Sequence, residues 1–61
     1  MGKFEVYTDS AGQFRWRLHA TNGKIVADCG EGYAAKRDCL HGIEVVQKLA
    51  ADAKVDDTTT G

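Results

Sequence analysis

The sequence predicts a small α+β domain in which a three-stranded antiparallel sheet is followed by one helix. Three segments, residues 3–8, 13–20 and 24–29, alternate apolar and polar residues with a period of two, which is typical of half-buried strands. A fourth, residues 35–51, contains no proline and repeats its apolar residues at spacings of three and four, which is typical of an amphipathic helix. This order favours a meander of strands with a helix packed across one face.

Two turn signals join the predicted strands. Asp9 and Gly12 stand at the start and end of the first turn, which is the usual chemistry of a type I turn. Asn22 and Gly23 predict a tight hairpin in which both central residues have positive φ. The alternation within the three strands predicts which residues face the core. They are Phe4, Val6, Phe14, Trp16, Leu18, Ile25 and Ala27.

The helix has a clear apolar face and a weak start. Ala34 and Ala35 stand where a capping side chain is expected, and the missing cap costs about 1 kcal/mol. Gly42 on the apolar face indicates that either the sheet or a second helix packs close to the backbone there. Leu40 and Val45 lie off this face. They are either ordinary exposed apolar residues or residues that contact a partner. The apolar face consists of Cys39, Gly42, Ile43, Val46, Leu49 and Ala50.

Chain length limits what one copy can bury. Sixty-one residues form at most one domain, and a monomer of that size buries only about 60% of the surface of its unfolded chain. Two cysteines do not make the framework of a disulfide-rich domain. By elimination, we expect the chain to gain the extra stability by associating with further copies of itself.

The charge and hydropathy of the sequence argue against a nucleic-acid or membrane partner. The net charge is −1, with seven Lys and Arg against six Asp and Glu in residues 1–50, and one Lys against three Asp thereafter. We expect little attraction to nucleic acid or to membranes. The sequence has neither the apolar core of a signal peptide nor a membrane-spanning apolar run, so we expect a cytoplasmic protein with reduced thiols.

Candidate metal ligands are few and badly spaced. Cys29 and Cys39 are ten residues apart, whereas zinc ligands usually come in close pairs. Cys39 and His41 on one helix would point about 200° apart, and His19 lies on a distant strand. The pattern favours two small buried thiols and a surface histidine. The same geometry argues against a cysteine nucleophile, and we predict no metal, no cofactor and no enzymatic activity.

A basic stripe on the outward face of the sheet is the remaining candidate site. Together with Tyr7 it suggests a surface for single-stranded nucleic acid. The alternative is a solvated face on which Glu5 pairs across strands with Arg15 or Arg17. Phe14 and Trp16 are expected on the core face and so could not stack on bases. The stripe consists of Lys3, Arg15, Arg17 and His19.

Several segments, in their order and spacing, resemble the YegP-like family of short bacterial and archaeal domains of unknown function. The resemblance covers residues 2–58, with Ala34-Ala35 where the family often has Ser and His41 where it often has Asn. Members contain two subunits or tandem repeats, which form one sheet and exchange their C-terminal strands. The segments are Phe4–Tyr7, Phe14–Leu18, Asn22-Gly23, Gly32-Tyr33 with Lys36, Gly42–Val46 and Val55–Asp57.

The resemblance implies a β-β-β-α-β unit over residues 1–58, followed by a disordered tail at residues 59–61. A single unit implies a homodimer in which residues 53–58 form an exchanged strand. Because the family brings no activity with it, we predict a non-catalytic homodimeric structural or interaction module, whose further protein partner or small ligand is unidentified. The alternative is a weak nucleic-acid binder through Lys3, Arg15 and Arg17. The expected dimer interface includes Leu40, Val45, Ala53 and Val55.

Overall fold

A computed structural model describes residues 1–60 and contains three strands and one helix. The strands are β1 (Lys3–Thr8), β2 (Phe14–His19) and β3 (Ile25–Asp28), and the helix is α1 (Lys36–Leu49). The sheet order is β1-β2-β3, and both neighbouring pairs are antiparallel. The predicted α+β fold of a three-stranded meander with one helix is therefore confirmed.

The core lies between α1 and the inner face of β1 and β2. Trp16 at its centre contacts Phe4 edge-to-face, with ring centroids 5.5 Å apart and an interplanar angle of 74°, a favoured aromatic geometry. The inward alternation predicted for β1 and β2 is confirmed. The buried residues are Trp16, Cys29, Cys39 and Ile43, and Phe4, Val6, Phe14, Tyr33 and Val46 pack against them.

Gly42 allows the helix to approach two aromatic side chains. A Cβ atom at this position would lie 2.5 Å from the hydroxyl oxygen of Tyr33 and 3.6 Å from Nε1 of Trp16. Tyr33 is fixed at its backbone, where it exchanges two hydrogen bonds of 2.8 Å with Phe14. The predicted close packing is confirmed. The neighbours of Gly42 are Trp16 of β2 and Tyr33 of the loop before α1.

The turn at Asn22-Gly23 differs from the sequence prediction. Gly23 has φ 86°, but Asn22 is not in the positive-φ region. The amide of Gly23 donates to the carbonyl of Ala20 at 2.9 Å, and the amide of Ala20 donates to the carbonyl of Lys24 at 2.7 Å. Because Thr21 belongs to the loop, a three-residue connection forms in which only the glycine is left-handed.

The expectation that Ile25 and Ala27 contribute to the core is wrong. The exposed fraction is 53% for Ile25 and 61% for Val26, and Ala27 is also exposed. The β2–β3 register shifts between Leu18 and His19, which pairs Ile25 with His19 on the outward face. In addition, α1 contacts β1 and β2 but, within residues 1–60, not β3.

The chain leaves the core after α1. Leu49, predicted on the apolar face, is exposed because it lies six residues after Ile43 and so about 120° around the helix. Residues 53–60 form no regular secondary structure and are exposed. The C-terminal strand expected from the resemblance is not formed in a single chain. Of the predicted tail, residues 59 and 60 are exposed, and Gly61 lies outside the described residues.

Candidate functional site

The structure brings the basic stripe together on the outward face of the sheet. In the β1–β2 register, His19 is opposite Lys3, Arg17 is opposite Glu5, and Arg15 is opposite Tyr7. Antiparallel pairing of two alternating strands produces this arrangement, because directly opposed residues share one face. The alternation predicts that the stripe residues share one face. It predicts only some of their ion-pair partners.

Arg15 stabilises the first turn. Its Nε donates to Oδ2 of Asp9 at 2.6 Å, while Oδ1 of Asp9 accepts the amides of Ala11 and Gln13, each at 2.9 Å. The hydrogen bond from Arg15, followed by that from the Gln13 amide, lowers the pKa of the Asp9 carboxyl group. The turn closes through Gly12 at φ 79°. This ion pair was not predicted, because the sequence indicated only that Asp9 begins a type I turn.

Glu5 is the centre of a second cluster. Its Oε1 lies 2.8 Å from Nε2 of His19 and 3.5 Å from Nε of Arg17. The hydrogen bond to His19, and then the charge of Arg17, lowers the pKa of the Glu5 carboxyl group. The guanidinium carbon of Arg17 lies 3.8 Å from the ring centroid of Tyr7, a cation–π geometry. The predicted cross-strand pair with Glu5 is found for Arg17, whereas Arg15 pairs with Asp9.

The two thiols belong to the core. Cys39 is fully buried and Cys29 nearly so, and both are free. Sγ of Cys29 accepts the amide of Trp16 at 3.3 Å, and burial raises the pKa of the Cys39 thiol. His41 is exposed on the helix. The interpretation of the cysteines as small buried residues is therefore confirmed.

Residues 1–60 contain no group of three or more His, Cys, Asp or Glu side chains placed to hold a metal ion. Across the same part of the chain, no helix has the length and apolar character needed to cross a bilayer.

The predicted interface residues are exposed but do not form one patch. Leu40 and Val45 lie about 140° apart around α1. Val45 instead neighbours Leu49, one helical turn further on. Ala53 and Val55 follow the helix, and the side chain of Val55 is 94% exposed. The single chain therefore displays apolar groups on both flanks of the helix and on the segment after it.

A groove of about 600 Å³ opens between the second half of α1 and the start of β1, and we call it the end groove. The sequence did not predict this groove, because it depends on how the helix and the strands pack together, although Val26 was an available apolar signal. Lys3, His19 and Gln47 supply polar groups at this groove. Its larger apolar lining residues are Phe4, Leu18, Val26 and Ile43.

Comparison with known proteins places the chain among short prokaryotic domains. Residues 9–57 match the family described as a domain of unknown function, DUF1508. A UPF0339 protein of Treponema denticola is 54% identical over 54 residues, which cover 88% of this chain and 91% of that protein. A UPF0339 protein of Stutzerimonas stutzeri is 51% identical over 51 residues, which cover 84% of this chain but only 45% of that protein.

Solved structures agree with the fold. The solution structure of a Haloferax volcanii protein aligns with a TM-score of 0.86 at 49% identity, covering 93% of this chain and 95% of that one. An Agrobacterium tumefaciens protein gives a TM-score of 0.77 at 42% identity, covering 93% and 90%. The chain therefore belongs to the UPF0339 family, the YegP-like proteins that carry the DUF1508 domain.

Proposed function

We propose that this protein is a non-catalytic homodimeric structural or interaction module whose two copies exchange residues 53–58. The observation that carries the proposal is an excess of exposed surface. The single chain exposes 5028 Å², whereas a compact monomer of 6.6 kDa exposes about 3,900 Å². The excess of roughly 1,100 Å² exceeds the roughly 800 Å² that each partner buries in a standard interface.

The shape of the chain supports the same proposal. Its radius of gyration is 13.3 Å, against about 10.5 Å for a compact domain of this length. Its largest extent is 40 Å, compared with 25 and 22 Å in the other directions. Because residues 53–60 are exposed throughout, a second copy that received this segment would restore compactness.

The relatives support a structural role for the C-terminal segment. The family match extends to residue 57 and therefore includes Val55. More than half of the Stutzerimonas stutzeri relative lies outside the match, which leaves room for a second unit of similar size. The names of these relatives state no enzymatic activity. The buried free thiols suit a reducing compartment, and we expect the dimer to act in the cytoplasm.

The oligomeric state tests the proposal. Light scattering over a range of concentrations would compare the full chain with a truncation that ends at Ala51. We expect a dimeric full chain and a monomeric or unfolded truncation. A control that ends at Thr58 removes only the last three residues and should remain dimeric. A folded full-length monomer at all concentrations would contradict the proposal.

A further inference from the structure

We propose that His19 forms a pH-sensitive clasp on the turn between β2 and β3, which the doubly protonated ring closes and the neutral ring releases. The ring lies on the outward face of the sheet, and its two nitrogens face two different elements. Nε2 lies 2.8 Å from Oε1 of Glu5 on β1, and Nδ1 lies 3.3 Å from the carbonyl oxygen of Gly23 in the turn. These two contacts, which we call the clasp, join the first strand to the turn through one side chain.

Both partners of the ring are hydrogen-bond acceptors. The carbonyl oxygen of Gly23 has no hydrogen to donate. The carboxyl group of Glu5, whose pKa is lowered chiefly by its hydrogen bond with His19, is ionised at neutral pH and also only accepts. The imidazolium form of histidine donates from both nitrogens, whereas the neutral form has one N–H and one lone pair. The protonated ring therefore satisfies both oxygens at once, and the neutral ring satisfies only one of them.

The two contacts differ in a way that indicates which one the neutral ring loses. The contact with Glu5 is the shorter, and its acceptor is charged. Hydrogen bonds to a charged group are roughly twice as strong as those between neutral groups. We therefore expect the one proton of the neutral ring on Nε2, beside Glu5. The bare Nδ1 then presents its lone pair to the carbonyl oxygen of Gly23, and the two negative atoms repel each other.

The charged groups around His19 act on the ring in both directions. A neighbouring carboxylate favours the charged ring, and a neighbouring cation disfavours it. Ile25, which is opposite His19 on β3, carries no charge, and α1 packs on the other face of the sheet. Histidine ordinarily changes charge between about pH 5 and 8, which is the range that the experiment covers. The charged groups in the same row as His19, in the next row and in the turn are Lys3, Glu5, Arg17, Asp28 and Lys24.

The clasp borders a second, more polar pocket of about 470 Å³ on the outward face. Lys3 and Thr21 line this pocket together with the three residues of the clasp. Release of Gly23 therefore changes the wall of the pocket as the pH rises. In the closed clasp neither ring nitrogen is free to take a proton from a substrate, so His19 is a positioning residue and not a general base.

Backbone NMR of the full chain tests the clasp. Amide chemical shifts and nitrogen relaxation of residues 20–24 would be recorded at fixed protein concentration from about pH 5 to about pH 8. We expect the amide signals of Gly23 and Lys24 to shift as His19 loses its proton, and the turn to be more mobile at the higher pH. His19→Gln should remove this pH dependence.

The matched control is His41→Gln, the same substitution at an exposed histidine of α1, and it should leave the pH dependence of the turn intact. Turn signals that do not change over this pH range, or that change equally in the His19→Gln chain, would overturn the inference.

The ring itself gives a second test that needs no substitution. The chemical shifts of the ring nitrogens distinguish a nitrogen that carries hydrogen from a bare one, and so they report the tautomer. At the higher pH we expect hydrogen on Nε2 of His19 and a bare Nδ1. Hydrogen on Nδ1 instead would keep the neutral ring bonded to Gly23, and the turn would not be released.

Discussion

At the scale of single residues, Gly42 is the position where packing opposes helix propensity most directly. Alanine would normally stabilise a helix interior by about 1 kcal/mol relative to glycine. Here its Cβ would lie 2.5 Å from the Tyr33 hydroxyl, and overpacking costs about 1–3 kcal/mol. We expect Gly42→Ala to lower the free energy of unfolding by about 1 kcal/mol, measured by urea denaturation at fixed protein concentration.

The matched background for this substitution is Tyr33→Phe, which removes the oxygen that the new Cβ would meet. In that background Gly42→Ala should be clearly less destabilising, and the difference is the coupling energy between the two positions. If alanine stabilises the unaltered protein, the close contact between α1 and Tyr33 does not constrain the helix.

Asp9 predicts a pH dependence of stability. Its carboxyl pKa is lowered below the ordinary value of 3.8, chiefly by Arg15 and then by the Gln13 amide. A carboxyl group with a depressed folded-state pKa contributes stability above its unfolded pKa and loses it as the pH falls through the folded one. We expect Asp9→Asn to be less stable than the unaltered protein at pH 7, with the difference shrinking as the pH falls below 3.8.

Chemical denaturation at a series of pH values, at fixed protein concentration, measures this effect. Glu31→Gln in the exposed loop before α1 is the control, since it removes one negative charge without disturbing the turn. A constant difference between Asp9→Asn and the unaltered protein from pH 7 to the acid range would show that the carboxylate does not stabilise the fold through its charge.

At the scale of secondary-structure elements, the start of α1 offers a simple gain in stability. Ala35 is the N-cap residue, with φ −118° and ψ 139°, and its side chain makes no capping hydrogen bond. These angles already suit a capping side chain, so Ala35→Ser should add about 1 kcal/mol. The corresponding rise in Tm is about 4–8 °C, measured by thermal denaturation. Ala34→Ser is the control, and an equal rise there would place the cap one residue earlier.

The elements also show what the sequence could and could not predict. Alternation correctly placed Phe4, Val6 and Trp16 inward because β1 and β2 pair without irregularity. It failed for Ile25 because the register shift after Leu18 depends on how two strands meet, which the local pattern of either strand does not contain. The same holds for the candidate sites. The basic stripe could be predicted from the alternation, whereas the end groove could not, because it depends on how the helix packs on the sheet.

At the scale of the whole molecule, charge distinguishes the proposed module from a nucleic-acid binder. Arg15 pairs with Asp9, and Arg17 pairs with Glu5, so both arginines of the stripe already have carboxylate partners. Phosphate contacts would have to displace these carboxylates on a chain whose net charge is −1. Binding to single-stranded nucleic acid is expected to weaken with salt in proportion to the number of phosphates neutralised.

We therefore expect a generic single-stranded oligonucleotide to show no measurable binding in a fluorescence anisotropy titration at low salt. An Arg15→Ala, Arg17→Ala double variant should give the same result, with light scattering used to check that its assembly is unchanged. Binding that falls steeply with salt and disappears in the double variant would instead favour a nucleic-acid surface at Lys3, Arg15 and Arg17. In that case the paired carboxylates would act as competitors that the phosphates displace, and the homodimer would serve to double the basic surface.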